Sequence, residues 1–173
     1  VISERYLCVG SGQHRYEGPE WTNVDCISRE GQVPDVVCDA RDLAYFSDGE
    51  VDVIVLEHVL EHFVLPDASK VIGACYRVLR EGGRLIISLP DIRALAQRWL
   101  LGKIDDYIFF VNCMGAYQGE PGDCHKWHWT ETTLRQLLGD KWQVQPFDWR
   151  PLGSTGMRLA YDWWIQGWEA VKR

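Results

Sequence analysis

The chain has 173 residues, 46% of them apolar and 25% charged, with a formal net charge of −7. That size and balance fit one compact domain with a real core and exclude a disordered or fibrous chain. No apolar run reaches the ~18 residues of a membrane span, and the opening Val1-Ile2-Ser3-Glu4-Arg5 lacks the basic-then-apolar order of a signal peptide.

The charge is unevenly spread. Residues 1–67 carry 14 acidic and 4 basic side chains, a balance of −10, whereas residues 68–173 carry 11 and 14, a balance of +3. Such an acidic surface repels phosphate backbones, so no nucleic-acid partner is expected, and no membrane partner either. The six cysteines (Cys8, Cys26, Cys38, Cys75, Cys113, Cys124) show no C-x-x-C spacing. Free thiols in a reducing, cytoplasmic protein are the expectation.

Taken in chain order, short apolar runs alternate with turn and helix signals, the pattern of a parallel α/β sheet. Tyr6-Leu7-Cys8-Val9 predicts a first strand that stops at Gly10-Ser11-Gly12. Trp21 to Val24 predicts a second ending at Asp25, Asp35 to Cys38 a third ending at Asp39, and Val51 to Leu56 a fourth reaching Glu57. A helix is predicted from Pro66 to Arg80, with Val71, Ile72, Cys75, Val78 and Leu79 facing the sheet and Gly82-Gly83 as its stop. Arg84 to Leu89 is a fifth strand, closed by Pro90-Asp91. Residues 92–128 read as a helical and loop insertion over the acceptor site. Thr130 caps a further helix with Leu134, Leu137 and Leu138 inward and Gly139 as terminator. Trp142 to Phe147 and Arg158 to Val171 read as a closing antiparallel pair. The expected fold is a single α/β domain over 1–173. It is a Rossmann-like, seven-stranded, mostly parallel sheet with helices on both faces and the last strand antiparallel.

Gly10, Gly12, Asp25, Asp39 and Glu57 each follow directly on an apolar run. In an open parallel sheet those places line the carboxyl edge, where ligands bind. Glycines let backbone approach a ligand closely, and a carboxylate there can accept hydrogen bonds from a ribose diol or an adenine amino group.

Four blocks carry a resemblance to a known family. Tyr6-Leu7-Cys8-Val9-Gly10-Ser11-Gly12 resembles the first motif of class I S-adenosylmethionine-dependent methyltransferases. Asp39-Ala40-Arg41-Asp42-Leu43 is similar to their adenine-side segment. Asp52 to His62 (DVIVLEHVLEH) resembles their fourth motif, and Val78 to Pro90 their following helix and strand. The resemblance covers about residues 5–91. It departs at Cys8, where members usually carry an acid, and at Gln13, where a third glycine often stands. Gly12 and Asp25 lie only 13 positions apart, so the usual first helix is shortened or replaced by the Arg15-to-Pro19 loop. This compressed motif looks like a subgroup linked to sugar pathways.

The resemblance implies S-adenosylmethionine as cofactor, contacted by Val9, Gly10, Ser11, Gly12, Asp25, Cys26, Asp39, Ala40, Arg41, Glu57 and His58, with no metal. It implies methyl transfer to a small-molecule or sugar acceptor, at oxygen, by a monomer or homodimer. For a hydroxyl acceptor the candidate bases are His125, ranked first, then His58, His128 and Asp91. Trp127 and Trp129 flank His128 and could stack on an acceptor; Trp142, Trp149, Trp163, Trp164 and Trp168 read as core.

Three other readings compete. His58-Val59-Leu60-Glu61-His62 matches H-x-x-E-H, whose two histidines would share a helix face and bind zinc, but the methyltransferase motif accounts for the same residues. A nicotinamide dehydrogenase expects a third glycine where Arg15 stands. A methyltransferase-like module that has lost its cofactor fits Cys8 and the shortened first motif.

Overall fold

Seven strands pair into one sheet in the order β3-β2-β1-β4-β5-β7-β6 in the computed structural model, which describes residues 4–12, 15–28, 30–31, 33–115, 121–148 and 165–173. β1 (Tyr6–Val9), β2 (Trp21–Asp25), β3 (Val36–Val37), β4 (Val51–Glu57) and β5 (Leu79–Pro90) run parallel. β7 (Ile165–Lys172) is antiparallel to both β5 and β6 (Trp142–Pro146). The helices are α1 (Leu65–Val78), α2 (Ile92–Leu100), α3 (Asp106–Met114) and α4 (Glu131–Leu138). The predicted strand before Ile165, with Trp149, Trp163 and Trp164, lies outside the described residues.

The alternation of side chains along β1, β4 and β5 sorts the core into two layers. Leu7, Val9, Ile54, Leu56, Leu85, Ile87 and Leu89 face one side, packed against Val71, Cys75 and Val78 of α1 and Leu134 and Leu138 of α4. Each such side chain, wholly buried, contributes about 1.5–3 kcal/mol. Cys8, Val53, Val55 and Ile86 face the other side. There, where helices were also expected, the cover among the described residues is Tyr16, Trp21, Phe147 and Ile165. The physical reason is chain length: too few residues link β1 to β2, or β2 to β3, to make a packed helix.

α1 stops sooner than its periodicity suggests. Leu79 is already extended (φ −70°, ψ 137°) and pairs with Val51. The predicted Gly82-Gly83 stop therefore belongs to an irregularity within β5. Gly82 turns there at φ +72°, and a Cβ on Gly83 would lie 2.8 Å from the Arg80 carbonyl oxygen. The buried Lys172 is satisfied by the Leu79 carbonyl at 2.8 Å, by Glu81 at 3.2 Å and by the Tyr76 ring.

Thr130 caps α4 as expected, in a reciprocal pair. Its hydroxyl accepts from the Thr133 N–H at 3.3 Å, and the Thr133 hydroxyl accepts from the Thr130 N–H at 3.0 Å. Gly139 ends the helix at φ +67°. No helix among the described residues is long and apolar enough to cross a membrane. Replacing Thr130 by alanine is expected to cost about 1 kcal/mol, lowering the melting temperature by roughly 2–4 °C; thermal denaturation followed by circular dichroism checks it.

Candidate active site

The parallel register brings the strand ends level. Val9 lies beside Val24 on one side and Leu56 on the other, Asp25 lies beside Val37, and Glu57 beside Ser88. Beyond β1 the chain folds back over the edge. Gly10 and Ser11 N–H groups donate to the Val24 carbonyl at 2.8 and 3.0 Å, and the Gly12 N–H donates to the Asp25 carboxylate at 2.8 Å. Gly10 takes φ +72°, and a Cβ there would lie 2.6 Å from Val59. Gly12 takes φ +49° with open space where a side chain would point. Glycine is thus required by backbone conformation at both and by contact at Gly10.

Asp25 spends one lone pair of each oxygen within the chain, on Gly12 and on the Ile27 N–H at 3.1 Å, which leaves further acceptor capacity toward the edge. The neighbouring Cys26 is exposed as a residue, but partial enclosure of its thiol and then the charge of Asp25 push that thiol up. Asp39 is held below the ordinary carboxylate range, first by its hydrogen bond from Arg41, whose guanidinium pairs with it at 2.6 Å. Ala40 is buried beside them. Arg77 of α1 fixes this turn by donating to the Asp42, Leu43 and Phe46 carbonyls, with Leu43 at φ +44°. Burial of Cys8 pushes its thiol well above the ordinary range, so it stays neutral.

Two residues that the sequence reading passed over fill the place of the first helix. Tyr16 is buried, stacks on Trp21 with ring centroids 4.2 Å apart, and donates its hydroxyl to Glu57 at 3.0 Å. Asn23 exchanges both amide bonds with the Tyr16 backbone, at 2.9 and 3.0 Å, and donates to Asp35 at 3.0 Å. A polar residue in the middle of an apolar strand was the available signal. Asp35 lies below its ordinary value despite burial, because of those bonds and of Arg15.

After β4 the chain turns sharply at His58 (φ +55°) into a 3-10 turn, Leu60–His62. His58 Nδ1 donates to Glu61 at 3.0 Å, so a neutral ring carries its lone pair on Nε2. Glu61 is 1% exposed. Burial pushes its carboxyl up, and the His58 hydrogen bond together with the neighbouring histidines brings the net direction below the ordinary value. The Glu61 carbonyl accepts from the Lys126 and Trp127 N–H groups at 2.7 and 3.2 Å, which fastens the His125–Trp129 loop over the turn.

The structure thus gathers His58 and His125 around Glu61, with His128 next to His125 at 6.0 Å between ring centroids. Burial pushes the His125 imidazole down to about 4. Asp91 stands apart in role: its carboxylate caps α2, accepting from Arg93 and Ala94 N–H at 3.0 and 3.2 Å. Trp129, which could have stacked on an acceptor, is core at 1% exposure; Trp142 and Trp168 are buried too, whereas Trp127 is 40% exposed.

Residues 20–87 match the family described as methyltransferase domain, on a fold whose strand order and edge are those above. That match spans less than half of the chain. Among solved structures, the chain is similar in fold to a SAM-dependent methyltransferase from Methanosarcina mazei, at 20% identity over 99% of this chain and 94% of the other, TM-score 0.54. A possible histamine N-methyltransferase from Thermotoga maritima gives 18%, 100%, 84% and 0.59. A 1,6-didemethyltoxoflavin N1-methyltransferase from Burkholderia thailandensis, solved with S-adenosylhomocysteine, gives 16%, 96%, 70% and 0.58. No curated protein matches the chain significantly in sequence. The residues present suit the family's cofactor, S-adenosylmethionine: the Ser11 hydroxyl is buried with no partner among the described residues, Gly12 faces open space, and Asp25 keeps acceptor capacity.

Asn23→Ala is expected to cost about 2–3 kcal/mol, because it removes both buried amide bonds to the Tyr16 backbone. Urea denaturation measures the loss, and a change under 1 kcal/mol would show that the amide is not what holds this loop.

Proposed function

We infer that this chain is a methyltransferase that binds S-adenosylmethionine along the carboxyl edge and transfers its methyl group to a hydroxyl of a small-molecule or sugar acceptor. The observation that carries the reading is that Gly10–Gly12, Asp25, Asp39–Arg41 and Glu57 meet on one edge, with the Gly12 N–H bound to Asp25. The cofactor supplies an electrophilic methyl group on a sulfonium. Val9 to Gly12 would hold its amino-acid portion, Asp25 and Cys26 its ribose, Asp39 to Arg41 its adenine, and Glu57 and His58 the region of the sulfonium. The acidic N-terminal half suits a cationic ligand.

A hydroxyl acceptor must lose a proton as it attacks. Of the four candidate bases, the geometry favours His58, because its Nδ1 bond to Glu61 holds the tautomer that keeps the lone pair on Nε2, as a general base requires. The 92–128 segment would cover the acceptor, with Trp127 as its exposed aromatic. Six free thiols support a reducing, cytoplasmic location.

One observation favours the second reading, a binding module without cofactor: Arg41 already occupies Asp39. Calorimetric titration decides between them. Micromolar binding is expected, and Asp25→Ala should weaken it about ten- to hundredfold, the scale of ~1.5–3 kcal/mol for hydrogen bonds to a charged group. No binding at millimolar cofactor would favour the module. Once an acceptor is in hand, His58→Ala should lower kcat by about 10²–10⁴.

A further inference from the structure

The H-x-x-E-H stretch is not used as its pattern suggests. His58 and His62 do not share a helix face, because a positive φ at His58 and a three-residue turn separate them. His58 serves Glu61 instead. What the fold adds is a partner from elsewhere in the chain: His125, brought against the turn by the Lys126 and Trp127 bonds to the Glu61 carbonyl. Glu61, His62 and His125 each present a ligand atom, and all three atoms lie within 4.8 Å of one another.

Three features make this cluster more than a chance grouping. Glu61 Oε1 is taken by His58, but Oε2 is buried with no partner among the described residues, as is His125 Nδ1. A buried carboxylate oxygen left so is costly unless a cation or donor meets it. His62 Nδ1 donates to the Gly122 carbonyl at 2.8 Å, which fixes its tautomer and leaves Nε2 as the acceptor. That carbonyl–imidazole bond is the kind of support metal-bound histidines have. The rings of His62 and His125 stand 5.0 Å apart and nearly perpendicular, so the two imidazoles meet edge to face beside Glu61.

We propose that Glu61, His62 and His125 form a divalent-cation site of the zinc class, clipping the 121–129 loop onto the turn that follows β4. Two imidazoles and one carboxylate are a borderline donor set that suits zinc, and three protein ligands leave a fourth position for water or an oxygen ligand. Tetrahedral bonds of about 2.0–2.1 Å put ligands about 3.3 Å apart, so the side chains must close by on the order of 1 Å. The site is separate from the cofactor reading and does not rest on it.

The test uses the full chain, freed of metal by chelation and titrated with cobalt(II) and with zinc. The expected result is one equivalent bound, a visible tetrahedral cobalt spectrum without a thiolate-to-cobalt charge-transfer band, and a higher melting temperature with zinc. His62→Gln and His125→Asn, each checked for folding by circular dichroism, should each weaken binding at least about tenfold. A thiolate band, binding only at millimolar metal, or unchanged affinity in both folded variants would overturn the site. The cobalt spectrum of the unaltered chain needs no variant. Cofactor titration in chelator is a separate measurement, so either reading can fail without the other.

Discussion

The structure depends on a shared register: β1 is hydrogen-bonded between β2 and β4, so that Val9, Val24 and Leu56 stand side by side. Everything at the edge follows from that alignment. The Gly10 and Ser11 amides can reach Val24 only because β2 ends level with β1, and Gly12 can reach Asp25 for the same reason. A slip of one residue would turn every side chain of β1 to the opposite face and carry the glycine bend away from the carboxylate.

A sheet of this kind ordinarily fills both faces with helices. Here the β1–β2 connection is too short for one, and its replacement is polar at the centre. Asn23 draws the Tyr16 backbone down onto the sheet, Trp21 stacks on the Tyr16 ring, and the Tyr16 hydroxyl then reaches Glu57. The loop therefore does two jobs, covering Cys8, Val53 and Val55 and setting the carboxylate at the end of β4. Loss of the helix has not opened the second face to water, since those three residues are at most 2% exposed.

Much of this was legible from residue order. Each of the five parallel strands is an apolar run closed by a glycine, an acid or a proline, and Thr130 with Gly139 marked both ends of α4. Less legible was anything set by contact across long sequence distance. The end of α1 lies at Val78 because Leu79 is captured by Val51, a strand pairing that helical periodicity cannot see. The capping bonds of Asp91 were not legible, because a carboxylate after a strand looks the same whether it faces a ligand or caps the next helix. Glu61 stood within the fourth motif, yet its partners His58 and the 125–127 loop appear only once the turn after β4 is built. Tyr16 gave no signal at all in a stretch that read simply as loop.

The two outer strands bear on how the chain behaves in company. β3 has only two residues, beside an ion pair between Arg15 and Asp35, and β6 ends in a proline that can donate no amide to a newcomer. Exposed rims of a sheet are the usual templates for runaway pairing between molecules, and short or proline-ended rims blunt it. The seven-stranded layer thus offers little for a second molecule to extend, and the protein can keep an open sheet without inviting fibre growth.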